Sequence, residues 1–244
     1  MRSVVEESVT ALDQQHHQYF AKALAAREAW RAWPEFRDSA VYLDIETDGG
    51  AWGSSVTTIG LHDRDGFTCL VKGEDLENFR DIISRYSMIV TFFGTGFDLP
   101  MLLKAFPGLS FDQIHLDLCF GLKQLGYRGG LKKIEKQMGI TRSDATDGLS
   151  GRDAVRLWRE YCYGRTQSLE TLIAYNREDC VNLEKLAEMM FTRMKAATLL
   201  EAGLRERDGQ ITEFTDRVLQ PSIFDVLVED EPNAVRPEGE ASHP

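Results

Sequence analysis

The sequence of 244 residues lacks the features of a membrane or exported protein. It contains no uninterrupted apolar run of about 18 residues, the length that predicts a membrane-spanning helix. Its first residues also lack the basic start and the continuous apolar stretch of a signal peptide. These absences predict a cytoplasmic protein without a membrane partner.

Cysteine is scarce, and no two cysteines form a Cys-x-x-Cys pair. The four cysteines are scattered along the chain, and the five histidines show no spacing typical of metal ligands. This distribution argues against a disulfide framework and against a zinc site. We therefore expect reduced structural thiols at Cys69, Cys119, Cys162 and Cys180.

Basic residues are in deficit, because 28 lysines and arginines face 39 aspartates and glutamates, for a net charge of −11. Taken alone, this balance disfavours nucleic acid, whose phosphates attract Lys and Arg. The charge is uneven, however. Residues 201–244 carry 11 acidic and 4 basic side chains, whereas residues 117–165 carry 10 basic and 6 acidic ones. The acidity therefore belongs mainly to the C-terminal tail.

The pattern of apolar residues in the first third of the chain predicts helix followed by strands. The Ala-rich residues 1–33 favour helix, which Pro34 should end because it disfavours helical geometry at Trp33. Strand patterns then cover Val41–Glu46, Val56–His62 and Phe67–Val71, which we expect to form an antiparallel meander.

Strands and helices alternate in the rest of the main domain. The predicted strands are Met88–Phe93, buried on both faces, and Ile114–Leu118. The predicted helices are Asp75–Arg85, one that starts near Asp98, and a last one over Ser168–Met194. This alternation indicates the α/β class.

The chain divides into three predicted parts: an N-terminal helical extension (1–39), a main domain (40–198) and an acidic C-terminal extension (199–244). The composition from Glu229 onward predicts disorder. The apolar island Ile223–Val228 inside this acidic stretch is either a docking segment for a protein partner or a segment that packs back on the domain.

Asp44 and Glu46 lie two residues apart on the first predicted strand, so their side chains project from the same face. Two like charges in a half-buried site repel each other and are costly to desolvate. A divalent cation removes that cost, since hard cations take oxygen ligands. The alternative is a strand end at which both carboxylates reach water.

Two further acidic positions are ambiguous when taken alone. Asp98 precedes Pro100 at a predicted helix start, so it is either a metal ligand or a helix N-cap. Tyr175 and Asp179 are four residues apart on the last predicted helix and therefore share one face. That face is either functional or solvated.

The order of these motifs resembles the tyrosine branch of the DEDD exonucleases, in the ribonuclease H-like superfamily. The stretches VYLDIETDGG, FFGTGFDLPML, HLDLCFGLKQLGYRGGLKKIEKQMGI and LIAYNREDCVNLEKL are similar to those of a predicted prokaryotic RNase H-like exonuclease domain. The resemblance covers roughly residues 40–195. It implies a mixed sheet flanked by helices and a 3′–5′ exonuclease that hydrolyses phosphodiester bonds of single-stranded DNA or RNA.

The resemblance also implies roles for the acidic residues. Two Mg²⁺ or Mn²⁺ ions about 3.5–4 Å apart would activate a water and stabilise the leaving oxygen. Asp44 would bridge both ions, Glu46 and Asp179 would complete the shell of one, and Asp98 would hold the other. Tyr175 would orient the attacking water, because a phenol with a pKa near 10 is a poor base at neutral pH.

The basic stretch is the candidate substrate track, with Tyr127, Arg128, Lys132 and Lys133 as its nucleic-acid-binding residues. The alternative is a solvated helix face. Arg142 and Arg152 are weaker candidates. His115 and Asp117 match the strand motif of the family, where a structural role is expected, with Asp117 also a candidate outer ligand.

Phe93 departs from the pattern, since relatives often have asparagine where this chain has Phe92-Phe93-Gly94. Phe93 and the acidic net charge favour a second hypothesis, an RNase H-like nucleic-acid-binding module with weak or no catalysis. The complete set of carboxylates favours the exonuclease.

Overall fold

Five strands form a mixed sheet in the order β3-β2-β1-β4-β5, in a computed structural model that describes residues 2–50, 55–207 and 210–213. The strands are β1 (Ala40–Thr47), β2 (Val56–Asp63), β3 (Gly66–Val71), β4 (Met88–Thr91) and β5 (Ile114–Asp117). The first three form the predicted antiparallel meander. β4 and β5 add in parallel, so β1 is the central strand.

The two faces of β1 carry different side chains because neighbouring strand residues alternate in direction. Val41, Leu43 and Ile45 belong to an apolar core with Phe79 and Leu102. Those two residues come from α4 (Phe79–Ile83) and α5 (Asp98–Ala105), which therefore cover one face of the sheet.

The opposite face of the sheet is covered by α8 (Gly151–Cys162) and α9 (Thr166–Glu201). Trp158 and Leu172 of these helices pack in one apolar cluster with Val71 of β3. α8 starts with a capping box, in which Ser150 and Asp153 satisfy each other's backbone N–H groups. Between β5 and α8 lie α6 (Leu118–Gln124) and α7 (Leu131–Gln137).

The N-terminal segment is helical but interrupted. It comprises α1 (Arg2–Asp13), α2 (His17–Ala23), a 3-10 helix over Ala26–Ala32 and α3 (Trp33–Phe36). The prediction that Pro34 ends a helix was wrong. Trp33 has helical geometry, with φ −56° and ψ −46°, and Pro34 lies in the first turn of α3. Proline is tolerated there because the first helical N–H groups have no helix partner.

Two other predicted elements are shorter than expected. The helix predicted over Asp75–Arg85 is divided into a 3-10 turn at Leu76–Asn78 and α4. The strand predicted over Met88–Phe93 ends at Thr91, because the backbone of Phe93 turns to a positive φ of 64° and leaves the extended conformation.

The described residues divide into two compact units, one up to Phe191 and one from Thr192 onward. In the second unit, β6 (Leu204–Arg207) and β7 (Gln210–Glu213) form an antiparallel hairpin that the sequence did not predict. The apolar island at 223–228 and the stretch of predicted disorder lie outside the described residues. Within the described ranges, no helix has the length and apolar character needed to cross a bilayer.

Candidate active site

Asp44, Glu46 and Asp179 form a carboxylate cluster. Among the described residues, each offers a carboxylate oxygen, and these atoms lie within 4.8 Å of one another. Asp44 and Glu46 project from the same face of β1, and α9 lies over that face. Glu46 and Asp179 are buried. The cluster therefore joins two residues of the central strand to one residue of the long helix.

Gly60 of β2 allows α9 to approach the sheet beside this cluster. It pairs with Asp44, and a Cβ at this position would lie 2.2 Å from Asn176 Oδ1 and 2.7 Å from Cys180 Sγ. Glycine thus leaves room for Asn176, whose Nδ2 donates 2.8 Å to Asp44 Oδ2 and 3.2 Å to the Asp44 carbonyl. The buried Asn176 amide therefore fixes the orientation of the Asp44 carboxylate.

Asp98 is the first residue of α5, and its side chain is turned toward β1. The pairing of β1 with β4 stops at Tyr42, so the N–H of Ile45 has no partner from β4 and donates 3.2 Å to Asp98 Oδ1. The N-cap position is held by Phe97, without a side-chain hydrogen bond. The alternative role of Asp98 as an N-cap is therefore not found, and its carboxylate lies in the cavity with the cluster.

The carboxylates resist ionisation in this site. Burial, together with the charges of Asp179, Asp98 and Glu46, raises the pKa of Asp44 well above its usual range. Burial and the charge of Asp179 raise the pKa of Glu46 to about 8. Burial is also the main reason that the pKa of Asp98 rises to about 7. With all its carboxylates ionised, the site would therefore hold more negative charge than its protein surroundings neutralise.

Arg142 is the cation that pairs with Asp179. Its side chain is only 3% exposed, and Nη2 donates to Asp179 Oδ1. The same guanidinium binds Glu135 of α7 in bidentate fashion, with Nε and Nη2 each 2.7 Å from a carboxylate oxygen. Glu135 is 1% exposed and also accepts from Asn182 of α9. The loop after α7 is thereby fixed to α9 through buried ion pairs.

Lys132 and Tyr175 contact each other beside the cluster. Lys132 Nζ donates 2.8 Å to the phenol oxygen of Tyr175 and lies 4.1 Å from its ring centroid. Burial and the charge of Asp179 raise the pKa of Tyr175, so its hydroxyl keeps its proton and is free to donate a hydrogen bond. Burial lowers the pKa of Lys132.

These groups surround a cavity of about 700 Å³. Its walls combine the four carboxylates with Tyr175, with basic and small residues after α6, and with aromatic side chains after β4. The lining residues beyond the carboxylates include Phe92, Phe93, Phe97, Cys119, Gly129, Gly130, Leu131, Lys132, Lys133, Ser150, Gly151 and Tyr175. One wall is therefore cationic and another aromatic.

Only some residues of the predicted substrate track line the cavity. Lys132 and Lys133 line the cavity, whereas Tyr127 and Arg128 do not. The Arg128 guanidinium instead donates to the backbone carbonyls of Lys123 and Tyr127. Arg128 remains exposed, on the segment that leads into Gly129 and Gly130.

His115 and Asp117 make structural contacts. His115 Nε2 lies 2.9 Å from Thr91 Oγ1 of the neighbouring strand. Asp117 caps α6 by accepting from the N–H of Cys119, and it also accepts from the N–H groups of Phe93 and Thr95. Asp117 therefore holds the loop after β4.

Asn176 and Glu135 belong to the site although their sequence context did not single them out. Asn176 lies three residues before Asp179, a spacing that places both on one helix face, and this was the available signal. Glu135 gave no signal, because it is one acid among the lysines of α7, and only tertiary packing buries it.

The residues present fit a divalent cation. The donors are carboxylate oxygens, which suit Mg²⁺ or Mn²⁺, and no cysteine or histidine belongs to the cluster that the described residues form. The raised pKa values of Asp44, Glu46 and Asp98 also fit a divalent cation, because a cation would offset the negative charge that burial disfavours.

Comparisons with known proteins agree with this fold. The family profile of the RNase H superfamily matches residues 41–191, a range that contains every carboxylate of the site. A search of curated protein sequences gave no match.

The solved structures that are similar to this chain include a DNA polymerase and an EXO domain. A family B DNA polymerase from the hyperthermophilic archaeon Pyrobaculum calidifontis has 17% sequence identity and a TM-score of 0.50. The similar region covers 66% of this chain but only 26% of the polymerase chain, so the likeness concerns the fold of one part of that protein. The Nibbler EXO domain of Aedes aegypti has 12% identity and a TM-score of 0.46, with 69% of this chain and 86% of that domain covered.

Proposed function

We propose that this chain, which belongs to the RNase H superfamily, is a divalent-metal-dependent 3′–5′ exonuclease that acts on single-stranded nucleic acid. One observation carries the proposal. Asp44, Glu46 and Asp179 bring their carboxylate oxygens together, and Asp98 lies in the same cavity. The order of these motifs along the chain supports the tyrosine branch of the DEDD exonucleases.

In this proposal, Asp44, Glu46, Asp98 and Asp179 are the residues that would hold two Mg²⁺ or Mn²⁺ ions. Bound there, divalent cations make a water nucleophilic at neutral pH and stabilise charge on the leaving oxygen. The contribution of Asn176 is to orient the Asp44 carboxylate through its 2.8 Å hydrogen bond.

Tyr175 and Lys132 complete the proposed machinery. The protonated phenol of Tyr175 donates a hydrogen bond that orients the attacking water, while the oxygen of the same hydroxyl accepts from Lys132. Lys132 also offsets part of the negative charge of the substrate phosphate. Lys133, on the same wall of the cavity, supplies a second cation for the phosphate backbone.

The test uses single strands of DNA and of RNA, labelled at the 3′ or the 5′ end and incubated with Mg²⁺ or Mn²⁺. The wild-type protein should shorten strands from the 3′ end and release nucleoside monophosphates. Asp44→Asn should fold but lose activity. Asp81→Asn, which changes an exposed carboxylate of α4, is the matched control and should stay active. Equal activity of Asp44→Asn would rule out the metal assignment, and cuts in a circular strand would indicate an endonuclease.

The second candidate function is a nucleic-acid-binding module with weak or no catalysis. It is favoured by the contact of Arg142 with Asp179, because a guanidinium then occupies an oxygen that a cation would use. This candidate predicts strand binding with little or no shortening at any Mg²⁺ or Mn²⁺ concentration. A separate experiment compares the full chain with a chain that ends at residue 213. It tests whether residues 214–244 bind a protein partner or contribute to strand shortening.

A further inference from the structure

Phe93 has a backbone conformation that phenylalanine rarely adopts. Its φ of 64° lies in the left-handed region, which Gln15 alone shares among the described residues other than glycine. A bulky side chain at a positive φ is strained, and such strain persists where surrounding contacts impose it.

Hydrogen bonds impose this conformation on Phe93 from both sides. Its N–H donates 2.8 Å to Asp117 Oδ1, and its carbonyl accepts from the N–H groups of Gly96 and Phe97, at 3.0 and 3.2 Å. Glycine or asparagine would satisfy the same backbone bonds with less strain. The turn therefore does not explain a phenylalanine at this position.

The ring of Phe93 lies at the mouth of the cavity that holds the carboxylates. The residue is 50% exposed and lines the cavity together with Phe97. A Cβ at Gly96 would lie 2.5 Å from Phe93 Cζ, so the ring rests against the backbone of Gly96. The ring is thus supported by the chain while a large part of its surface faces solvent beside the reactive groups.

The surroundings of the ring match one class of ligand. The cavity presents carboxylates for cations, Lys132 and Lys133 for phosphates, and an exposed aromatic surface at its mouth. Single-stranded nucleic acids combine a phosphate backbone with flat bases, and aromatic side chains stack on such bases regardless of sequence. A duplex hides those base faces inside its own stack.

We propose that Phe93 stacks on an unpaired nucleobase of the strand whose 3′ end enters the cavity, and so selects single-stranded substrate by its base faces. This inference rests on the proposed exonuclease function and specifies how that function recognises its substrate. An amide at this position would instead read one edge of the strand by hydrogen bonds. The phenylalanine makes recognition tolerant of base identity and dependent on the presence of a base.

Three variants of Phe93 isolate the ring from the turn. Phe93→Gly removes the ring and relieves the strained backbone, so its melting temperature should equal or exceed that of the wild type. Phe93→Trp keeps an aromatic surface and is the matched control. Phe93→Asn keeps a side chain that tolerates the left-handed region but does not stack like an aromatic ring.

The binding experiment uses fluorescent single strands whose 3′-terminal, second or third nucleotide is abasic, with Ca²⁺ as the oxygen-binding cation. Phe93→Gly should bind an intact strand on the order of tenfold more weakly than the wild type, the size typical of one base–aromatic stack. On one of the three abasic strands, the wild type and Phe93→Gly should bind with equal affinity, because that strand lacks the base that Phe93 contacts. Phe93→Trp should bind like the wild type on every strand.

The second measurement is the KM and kcat of strand shortening. Stacking is made equally with the bound substrate and in the transition state, so Phe93→Gly should raise KM and leave kcat nearly unchanged. Equal affinity of Phe93→Gly and wild type for intact strands would overturn the inference, and so would a loss of affinity that is the same on every abasic strand.

The outcome also separates this inference from the proposed function. If the wild type shortens strands and Phe93→Gly behaves identically, the exonuclease stands and the stacking role is wrong. If no strand is shortened but the abasic pattern is found, the stacking role stands and the exonuclease proposal is wrong. A wild-type protein that binds no strand contradicts the stacking role.

Discussion

The Asp179 carboxylate contacts groups of opposite charge. It lies with Asp44 and Glu46 in the carboxylate cluster, and it accepts a hydrogen bond from Arg142. Burial raises the pKa of Asp179 to about 6, although the charge of Arg142 acts in the opposite direction. The guanidinium therefore keeps the Asp179 carboxylate largely ionised near neutral pH, while its neighbours remain harder to ionise.

Arg142 should be critical for stability because removing it leaves Glu135 charged and buried. Breaking a buried ion pair by deleting one partner costs about 3–5 kcal/mol. We expect Arg142→Met to lower the free energy of unfolding by an amount in this range, measured by urea denaturation.

The controls for Arg142→Met are an exposed arginine and the paired acid. Arg156→Met, on the exposed face of α8, should change stability by about 0.5 kcal/mol or less. Arg142→Met combined with Glu135→Gln should recover part of the loss, since the buried charge is then removed. No recovery in the double variant would mean that packing, and not charge, explains the single one.

Asp44→Asn should have opposite effects in the absence and in the presence of metal. In chelator near pH 8, it removes a carboxyl group whose ionisation is opposed by burial and by the charges of Asp179, Asp98 and Glu46, so the melting temperature should rise above that of the wild type. Mg²⁺ or Mn²⁺ should raise the melting temperature of the wild type but barely affect the variant. A metal-induced rise of the same size in both proteins would contradict the role of Asp44 as a ligand.

The sequence identified the residues that carry charge but not their partners. Asp44 and Glu46 could be placed together because strand alternation is a local rule. The contacts of Asp98 with Ile45, and of Arg142 with Glu135 and Asp179, join residues distant in sequence, so no local pattern reveals them.

At the scale of elements, Gly60 determines how closely α9 lies on the sheet. Gly60→Ala would place a methyl group 2.2 Å from Asn176 Oδ1, so the helix or the amide must move. We expect a loss of about 1–3 kcal/mol in the free energy of unfolding, typical of overpacking. Strand shortening should also slow, because the orientation of Asp44 depends on Asn176.

Gly151→Ala is the matched control for stability. No heavy atom lies within 4 Å of a Cβ placed there, and Gly151 starts α8. Its melting temperature should match or slightly exceed that of the wild type, since alanine favours helix. If both alanine variants lose the same stability, the close approach at Gly60 is not the cause.

The strands were predicted well because their apolar residues alternate or run together over several positions. The ends of elements were predicted less well. β4 stops at Thr91 because hydrogen bonds impose a turn at Phe93. Asp117 accepts from the N–H of Phe93, and the N–H groups of Gly96 and Phe97 donate to its carbonyl. The contact with Asp117 is tertiary, so the local sequence pattern does not reveal it. Pro34 was misread because its effect depends on whether it ends one helix or starts the next.

For the whole molecule, the carboxylate site makes stability depend on pH. Folding raises the pKa of Asp98 from 3.8 to about 7 and that of Glu46 from 4.5 to about 8, chiefly by burial. The folded state therefore binds protons that the unfolded state has released. This contribution to stability is complete below about pH 4 and is lost as the pH rises through 7 and 8.

We therefore expect the metal-free protein in chelator to melt at progressively lower temperature as the pH rises from about 5 to 8.5. Each pKa unit corresponds to about 1.4 kcal/mol, and each kcal/mol shifts the melting temperature by about 2–4 °C in a chain of this size. Lys132 and Arg142, the cations that face these groups, reduce the effect but do not abolish it. Mg²⁺ should flatten the curve, and a melting temperature that rises over this range in chelator would refute the prediction.

The hydrogen bond from Asn176 to Asp44 spans 132 residues of sequence. Its consequence concerns the time at which the site comes into existence during synthesis. A growing chain that has emerged only as far as β5 already carries Asp44, Glu46 and Asp98, but it lacks α9 and with it Tyr175 and Asp179. The proposed activity is therefore withheld until α9 has been synthesised, so a nascent chain that still lacks this helix cannot shorten a strand.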